Sequence, residues 1–263
     1  TLASRAHARQ VVARATPGHE RSGLHHTAVP YDDAQHMGQT YLDLARSAGV
    51  PERRYRPLAP PVTTTGRAEA AAVLGADARR VVVVHPGSGD NFQGRRWPAA
   101  SFAALADRLV GEHGVRIVVT GTAAEAALTA RVIAAMEHGD AAVDAAGRLH
   151  VDGLVALLER AAALVTNDTA PVHLGSALGV PVFAFFGPNT PALYGPLSDG
   201  SHAFYRALPC SPCLTNLNYK TSLCRMPVCI RDITVEEVVV RMRAVLGDER
   251  ARQGGSMPSA RTG

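Results

Sequence analysis

At 263 residues, 46% hydrophobic and 19% charged, the chain has the balance of a soluble globular protein of one large domain or one and a half ordinary ones, with enough apolar material for a sizeable core. No apolar run approaches the roughly 20 residues of a membrane helix, and the opening Thr1-Leu2-Ala3-Ser4-Arg5-Ala6-His7 lacks the apolar stretch of a signal peptide, so the expectation is a cytosolic protein. The net charge of +4 rests on Arg, with Lys220 the one lysine; such a bias follows from genomic base composition as readily as from phosphate chemistry, and 5% aromatics without basic interleaving support no nucleic-acid surface.

To about residue 30 the chain is rich in Arg, His, Gly and Ala without a period, which reads as loosely ordered or as the tail of a preceding unit. Asp33 to Ala48 has an amphipathic helical pattern through Tyr41, Leu42, Leu44 and Ala45, closed by Gly49 and Pro51. Pro57, Pro60, Pro61 and a Thr run make residues 56–66 an expected extended linker. From there the pattern predicts helix 68–74, strand 80–85, helix 98–112, strand 115–120, helix 122–137, strand 141–145, helix 151–161, strand 163–166, helix 170–178 and strand 181–186. Short β-branched runs alternating with helices indicate βαβ units and a buried parallel sheet. Pro98 suits a first helical turn, and Phe102, Leu105, Ala106, Leu109 and Val110 form the inward stripe behind it. Residues 201–207 suggest one more strand, and Thr234 with Glu237 forms a capping box for a last helix from Val235. The Gly, Ser and Arg content after Gly247 predicts a disordered tail over 248–263.

Chemistry gathers where strands end. His85-Pro86-Gly87-Ser88-Gly89 leads through Gly94-Arg95-Arg96-Trp97-Pro98 into a helix. Its glycine spacing is not that of a dinucleotide fingerprint, and Arg95-Arg96 replaces the Lys and Ser/Thr of a P-loop. An N–H-rich loop with the Ser88 hydroxyl and two guanidinium groups remains, suited to a diphosphate without a metal; the plain alternative is a long surface loop. Thr120-Gly121-Thr122 ends the next strand, with Glu125 placed either to accept hydrogen bonds from sugar hydroxyls or simply to complement the helix dipole. Asp168 and Thr169 stand at a third strand-to-helix turn, with His173 on the same helix face; an isolated pair there would ordinarily be a helix cap.

All four cysteines fall within twenty residues as Cys210-x2-Cys213-x10-Cys224-x4-Cys229. Three readings stay open: a structural zinc site, reduced thiols packed in a loop, and disulfides, the last out of place in a cytosolic protein.

Taken in order, His85-Pro86-Gly87-Ser88, Arg96-Trp97-Pro98, Val119-Thr120-Gly121 with Glu125, Asn167-Asp168-Thr169-Ala170-Pro171-Val172-His173-Leu174, Phe185-Phe186-Gly187-Pro188 and Cys229-Ile230-Arg231-Asp232-Ile233 give a specific set. Over about residues 80–245 the chain resembles glycosyltransferase family 9, the ADP-heptose:lipopolysaccharide heptosyltransferases. The resemblance implies an α/β fold of GT-B type, with a Rossmann-like parallel sheet and helices on both faces. It assigns residues 1–66 to the remnant of an N-terminal domain and linker, 67–247 to the donor-binding domain and 248–263 to the tail. It also implies inverting transfer of a sugar from a nucleotide-sugar donor to a glycan or glycolipid acceptor, with no cofactor required. Asp168, Thr169 and His173 would contact the donor, the N–H groups of Thr169 and Ala170 would lie near its diphosphate, Ser88 and Arg95 would reach phosphate, and Glu125 would lie near ribose or base. Ala170 stands where the family usually carries Gly, crowding the backbone approach to phosphate. The family's general base is an Asp early in the N-terminal domain, and no Gly-rich acceptor loop precedes residue 33, so the expectation is a truncated enzyme. Work in the cytoplasm follows, with peripheral contact at the inner membrane left open. Two alternatives stand beside it: a non-catalytic nucleotide-sugar or zinc-binding interaction module, and a nucleotide-sugar epimerase.

Overall fold

The computed structural model describes residues 12–15, 27–89, 92–218 and 220–247. Strand β1 (Val12–Ala15) pairs in parallel with β2 (Thr27–Pro30), and α1 (Met37–Ser47) packs on both. Over 12–15 and 27–30 paired strands therefore stand where the sequence showed no period, and the rest of the segment before residue 30 lies outside the described residues. Helix α1 starts later than Asp33 because the His36 ring accepts the Gly38 N–H at 3.1 Å and caps it. Likewise α2 (Thr64–Leu74) begins inside the expected linker, where the Thr63 hydroxyl accepts the Gly66 N–H at 3.0 Å.

The expected alternation follows as β3 (Val81–His85), α3 (Ala99–His113), β4 (Arg116–Val119), α4 (Ala126–Ala134), β5 (Ala142–Asp144), α5 (Val151–Glu159), β6 (Ala161–Asn167), α6 (Pro171–Ala177) and β7 (Val182–Phe186). Pro98 takes the N-cap position of α3 rather than its first turn. The helix expected over 122–137 divides into a 3-10 turn, Ala123–Glu125, and α4. Short α7 (Pro191–Tyr194), β8 (His202–Tyr205) and α8 (Val228–Arg231) precede α9 (Val235–Leu246), whose Thr234–Glu237 capping box is present as expected. The tail expected over 248–263 lies outside the described residues.

Strands β3 to β8 form one parallel sheet in the order β5-β4-β3-β6-β7-β8. Alternate side chains enter two cores. Val82, Val84, Ile117, Val165 and Phe185 face α3 and α9, while Val83, Val118, Leu164 and Phe186 face α2, α5 and α6. On the first face Trp97 stacks on Phe185 with centroids 4.3 Å apart and donates its indole N–H to the Ile233 carbonyl at 2.9 Å. Truncating so buried an aromatic costs about 3–5 kcal/mol, and this one ties the loop before α3 to the turn before α9. Among the described residues no helix is long and apolar enough to cross a membrane.

Strand order decides where the site lies. The chain builds outward from β3 to β5, crosses back to β6 beside β3, and builds the other way to β8. The loops leaving β3 and β6 therefore diverge, and the crevice between them is where open parallel sheets hold ligands.

Candidate functional site

Asn167, the last residue of β6, sets the floor of that crevice. Wholly buried, it accepts the Trp97 N–H at 2.8 Å and donates to the Pro86 carbonyl at 2.7 Å, fastening the loop after β3 at both ends. Within that loop Ser88 is buried. Its carbonyl accepts a hydrogen bond from Arg95, and its hydroxyl accepts one from Arg96 Nε at 3.1 Å. Arg96 also donates to the Gly89 carbonyl at 3.1 Å. Arg95 is held differently, because its Nε is buried and, among the described residues, has no acceptor. An unsatisfied guanidinium donor costs about 1–3 kcal/mol, so this loop presents a cation with a vacant hydrogen-bonding position.

The end of β4 supplies a carboxylate. Glu125 Oε2 accepts the Thr122 N–H at 2.9 Å and its hydroxyl at 3.0 Å, a capping box over the 3-10 turn. Oε1 turns toward the crevice, 3.9 Å from Arg96. A Cβ on Gly87 would stand 2.0 Å from Oε1, so only glycine permits this approach. Burial works to raise the Glu125 pKa, and the Thr122 donors, His85 and Arg96 outweigh it and hold it below the usual value. The cap and the crevice-facing oxygen thus coexist in one side chain.

Asp168 is not a helix cap. Helix α6 has no side-chain cap, and Ala170 occupies its N-cap position in ordinary right-handed backbone, φ −49° and ψ −38°. Ala170 is exposed and unstrained, so a side chain is accommodated where glycine was expected. Asp168, 7% exposed, instead accepts a hydrogen bond from Asn189 Nδ2 at 2.9 Å. Burial raises its pKa, opposed by that hydrogen bond and by the positive fields of Arg95, Lys220 and His173. His173 keeps an exposed edge on α6; loss of surrounding water and the nearby His36 lower its pKa, while Asp168 pulls the other way.

Several contributors carried no local signal. Asn189 follows β7, Lys220 arrives from the Cys loop with its Nζ 4.4 Å from the centre of the Tyr194 ring, and His36 arrives from before α1 with its ring 6.4 Å from that of His173. His36 Nε2 lies 3.2 Å from the Gly195 carbonyl, which joins the N-terminal segment to α7. Only Lys220 had a clue in the sequence, as the single lysine of an arginine-rich chain. Ser88, Arg95, Glu125, Asp168 and His173 come from three strand ends of one sheet edge, with Thr169 and Ala170 forming the turn between Asp168 and α6.

The four cysteines are unpaired thiols: Cys210 and Cys224 exposed, Cys213 half-buried and accepting from the Ser222 hydroxyl at 3.2 Å, Cys229 buried. Burial, helped by the other three thiols, pushes the Cys229 pKa up to about 11. Among the described residues no three His, Cys, Asp or Glu side chains are already arranged to hold a metal ion.

The sequence profile of glycosyltransferase family 9 (heptosyltransferase) matches residues 13–223. Over 106 residues the chain is 34% identical to lipopolysaccharide heptosyltransferase 2 of Escherichia coli (strain K12), covering 40% of this chain and 30% of that protein. Over 154 residues it is 32% identical to lipopolysaccharide heptosyltransferase 1 of Pseudomonas aeruginosa, covering 56% and 42%. The chain thus spans less than half the length of these two curated relatives. Among solved structures, E. coli ADP-heptose LPS heptosyltransferase II superimposes with a TM-score of 0.70 at 22% identity, over 93% of this chain and 72% of that one. At that identity the likeness speaks for the fold.

Proposed function

The chain belongs to glycosyltransferase family 9, and we propose that it binds a nucleotide-sugar donor such as ADP-heptose across the crevice between β3 and β6, for inverting transfer of the sugar to a lipopolysaccharide or other cell-surface glycan. The observation that carries this reading is the buried Arg95 Nε that has no acceptor among the described residues, in the side chain that donates to the Ser88 carbonyl in the loop after β3, beside the switch point of the sheet. In this reading Arg95 and Lys220, with the N–H groups of Thr169 and Ala170, meet the diphosphate. Asp168, held by Asn189, accepts from donor hydroxyls together with Thr169 and His173, and the free oxygen of Glu125 faces ribose or base. The acceptor hydroxyl oxygen bonds to the anomeric carbon as the bond from that carbon to the phosphate oxygen breaks. The nucleoside diphosphate leaves with the electron pair, and the hydroxyl proton passes to a base. Fixed cations stabilise the leaving charge, so the reaction requires no metal in this reading. Its place of action is the cytoplasm, with the glycan presented at the inner-membrane face.

Calorimetric titration of the folded protein with ADP and other nucleoside diphosphates, with and without a chelator, tests this. One-to-one binding of at least one of them that survives chelation supports the reading. Silence toward all of them overturns it.

The Cys loop supports a second, structural assignment: Cys210, Cys213, Cys224 and Cys229 closing on one zinc ion. The support is that all four unpaired thiols of the chain fall within twenty residues of one loop, a donor set that suits a tetrahedral zinc ion. Metal analysis of reduced protein decides it, one zinc per chain for and none against.

A further inference from the structure

A second basic cavity lies on the other side of the Arg96 side chain. It has a volume of 710 Å³, within the range of small-ligand sites, and its walls include Phe92, Arg96, Pro98, Arg225, Pro227 and Arg231. Among the described residues no carboxylate lines it. Arg225 and Arg231 are exposed and, among the described residues, their guanidinium groups have neither a hydrogen-bond nor an ion-pair partner. Both heads are therefore solvated and open to an anion, and their positive fields add in one cavity. Arg96 completes the wall from the crevice side, where its Nε is committed to the Ser88 hydroxyl.

The apolar part of the wall has its own chemistry. Phe92 folds over Gly94 so closely that a Cβ there would stand 2.4 Å from the ring. Pro98 and Pro227 complete a rigid apolar surface beside it. An aromatic face suits the C–H face of a sugar ring, and guanidinium forks suit phosphate oxygens bidentately.

We propose that this cavity is a subsite for a phosphorylated sugar, distinct from the crevice that faces Asp168: Arg225 and Arg231 hold the phosphate and Phe92 packs on the ring. Such a group reaches the protein as a free sugar phosphate or as part of a phosphorylated acceptor glycan. Only the second source rests on the transferase reading.

Titration with glucose 6-phosphate, glucose, inorganic phosphate and ADP tests the assignment, using the wild-type chain and the Arg225→Ala/Arg231→Ala variant, both verified as folded by circular dichroism. Glucose 6-phosphate is expected to bind, to bind more tightly than glucose or inorganic phosphate, and to lose about tenfold or more in affinity in the double variant. Phe92→Ala is expected to weaken the sugar phosphate and leave inorganic phosphate unchanged. ADP affinity is expected to be the same in wild type and double variant. Absence of glucose 6-phosphate binding, equal affinity for inorganic phosphate, or an equal loss of ADP affinity in the double variant overturns the proposal. Glucose 6-phosphate binding without any nucleotide binding overturns the donor reading and leaves this subsite standing. A phosphorylated oligosaccharide that binds at least tenfold more tightly than glucose 6-phosphate, through the same arginines, identifies the acceptor as the source; equal affinity identifies the free sugar phosphate.

Discussion

Asn167 accepts the backbone N–H of Trp97 at 2.8 Å, across 70 residues of sequence, while its own amide donates to the Pro86 carbonyl at 2.7 Å. One buried amide therefore closes both ends of the loop that carries Ser88, Arg95 and Arg96. Asn167→Ala leaves a buried donor and a buried acceptor unpaired, each costing about 1–3 kcal/mol. Differential scanning calorimetry is expected to show a Tm lower by about 4–24 °C, at roughly 2–4 °C per kcal/mol for a chain of this size. Asn167→Asp keeps the acceptor for Trp97 but sets a buried carboxylate against the Pro86 carbonyl, so a lower Tm is expected here too at neutral pH. An unchanged Tm in both variants contradicts the tie.

Asp168 sets a pH dependence of definite sign. Its folded pKa is raised above 3.8, so its contribution to stability is present below that value and is lost as pH rises through the folded pKa. Asp168→Asn removes the ionisable group and keeps an oxygen able to accept from Asn189. The variant is expected to melt higher than wild type at neutral pH, with the difference vanishing below about pH 4, and to bind the donor diphosphate sugar more weakly. A lower Tm at neutral pH would mean that Arg95 and Lys220 outweigh burial.

Gly87 and Glu125 form a coupled pair, since a Cβ at 87 would stand 2.0 Å from Glu125 Oε1. Gly87→Ala is expected to expel the carboxylate from its cap on Thr122, at a cost of about 1 kcal/mol or more. In a Glu125→Ala background the same substitution meets no carboxylate. A double-mutant cycle from chemical denaturation should therefore be strongly non-additive, and additive losses would show that the contact is not made.

Glu112 and Glu237 carry acid sensitivity. Arg243 and Arg108 hold Glu112 down to about 2, and Arg206 with the Thr234 donors holds Glu237 down to about 2. Depressed folded values mean that this stability is present above the usual carboxylate range and is lost as pH falls toward about 2. Both pairs are largely solvated, so each is worth roughly 1 kcal/mol or less and weakens with salt. Glu237→Gln is expected to lower Tm by a small amount at neutral pH in low salt, with no effect in strong acid or in about 1 M salt, where the Debye length is near 3 Å.

Periodicity reveals elements long enough to repeat it. The Val81 to Val84 run, the Phe102 stripe and the Thr234–Glu237 box stood in the sequence where the structure places them, because strand alternation and helix capping are local effects. The short elements β1, β2, α7 and α8 did not, because they stand outside the regular strand-and-helix alternation that exposed the equally short β4, β5 and β8. Helix α2 began earlier than its apolar residues suggested because a single hydroxyl, that of Thr63, starts it.

For the site, the sequence by itself determined that Ser88, Glu125 and Asp168 each follow a strand, since strand ends are written in short-range pattern. Only the tertiary structure decided that β3 and β6 are neighbours, that Asp168 turns to Asn189 rather than capping α6, and that Lys220 and His36 come to face the same crevice. The reason is physical. Strand order and side-chain direction come from packing two cores against one sheet, and bonds such as Asn189 to Asp168 and Asn216 to Tyr31 join residues 21 and 185 positions apart, beyond the reach of any local period.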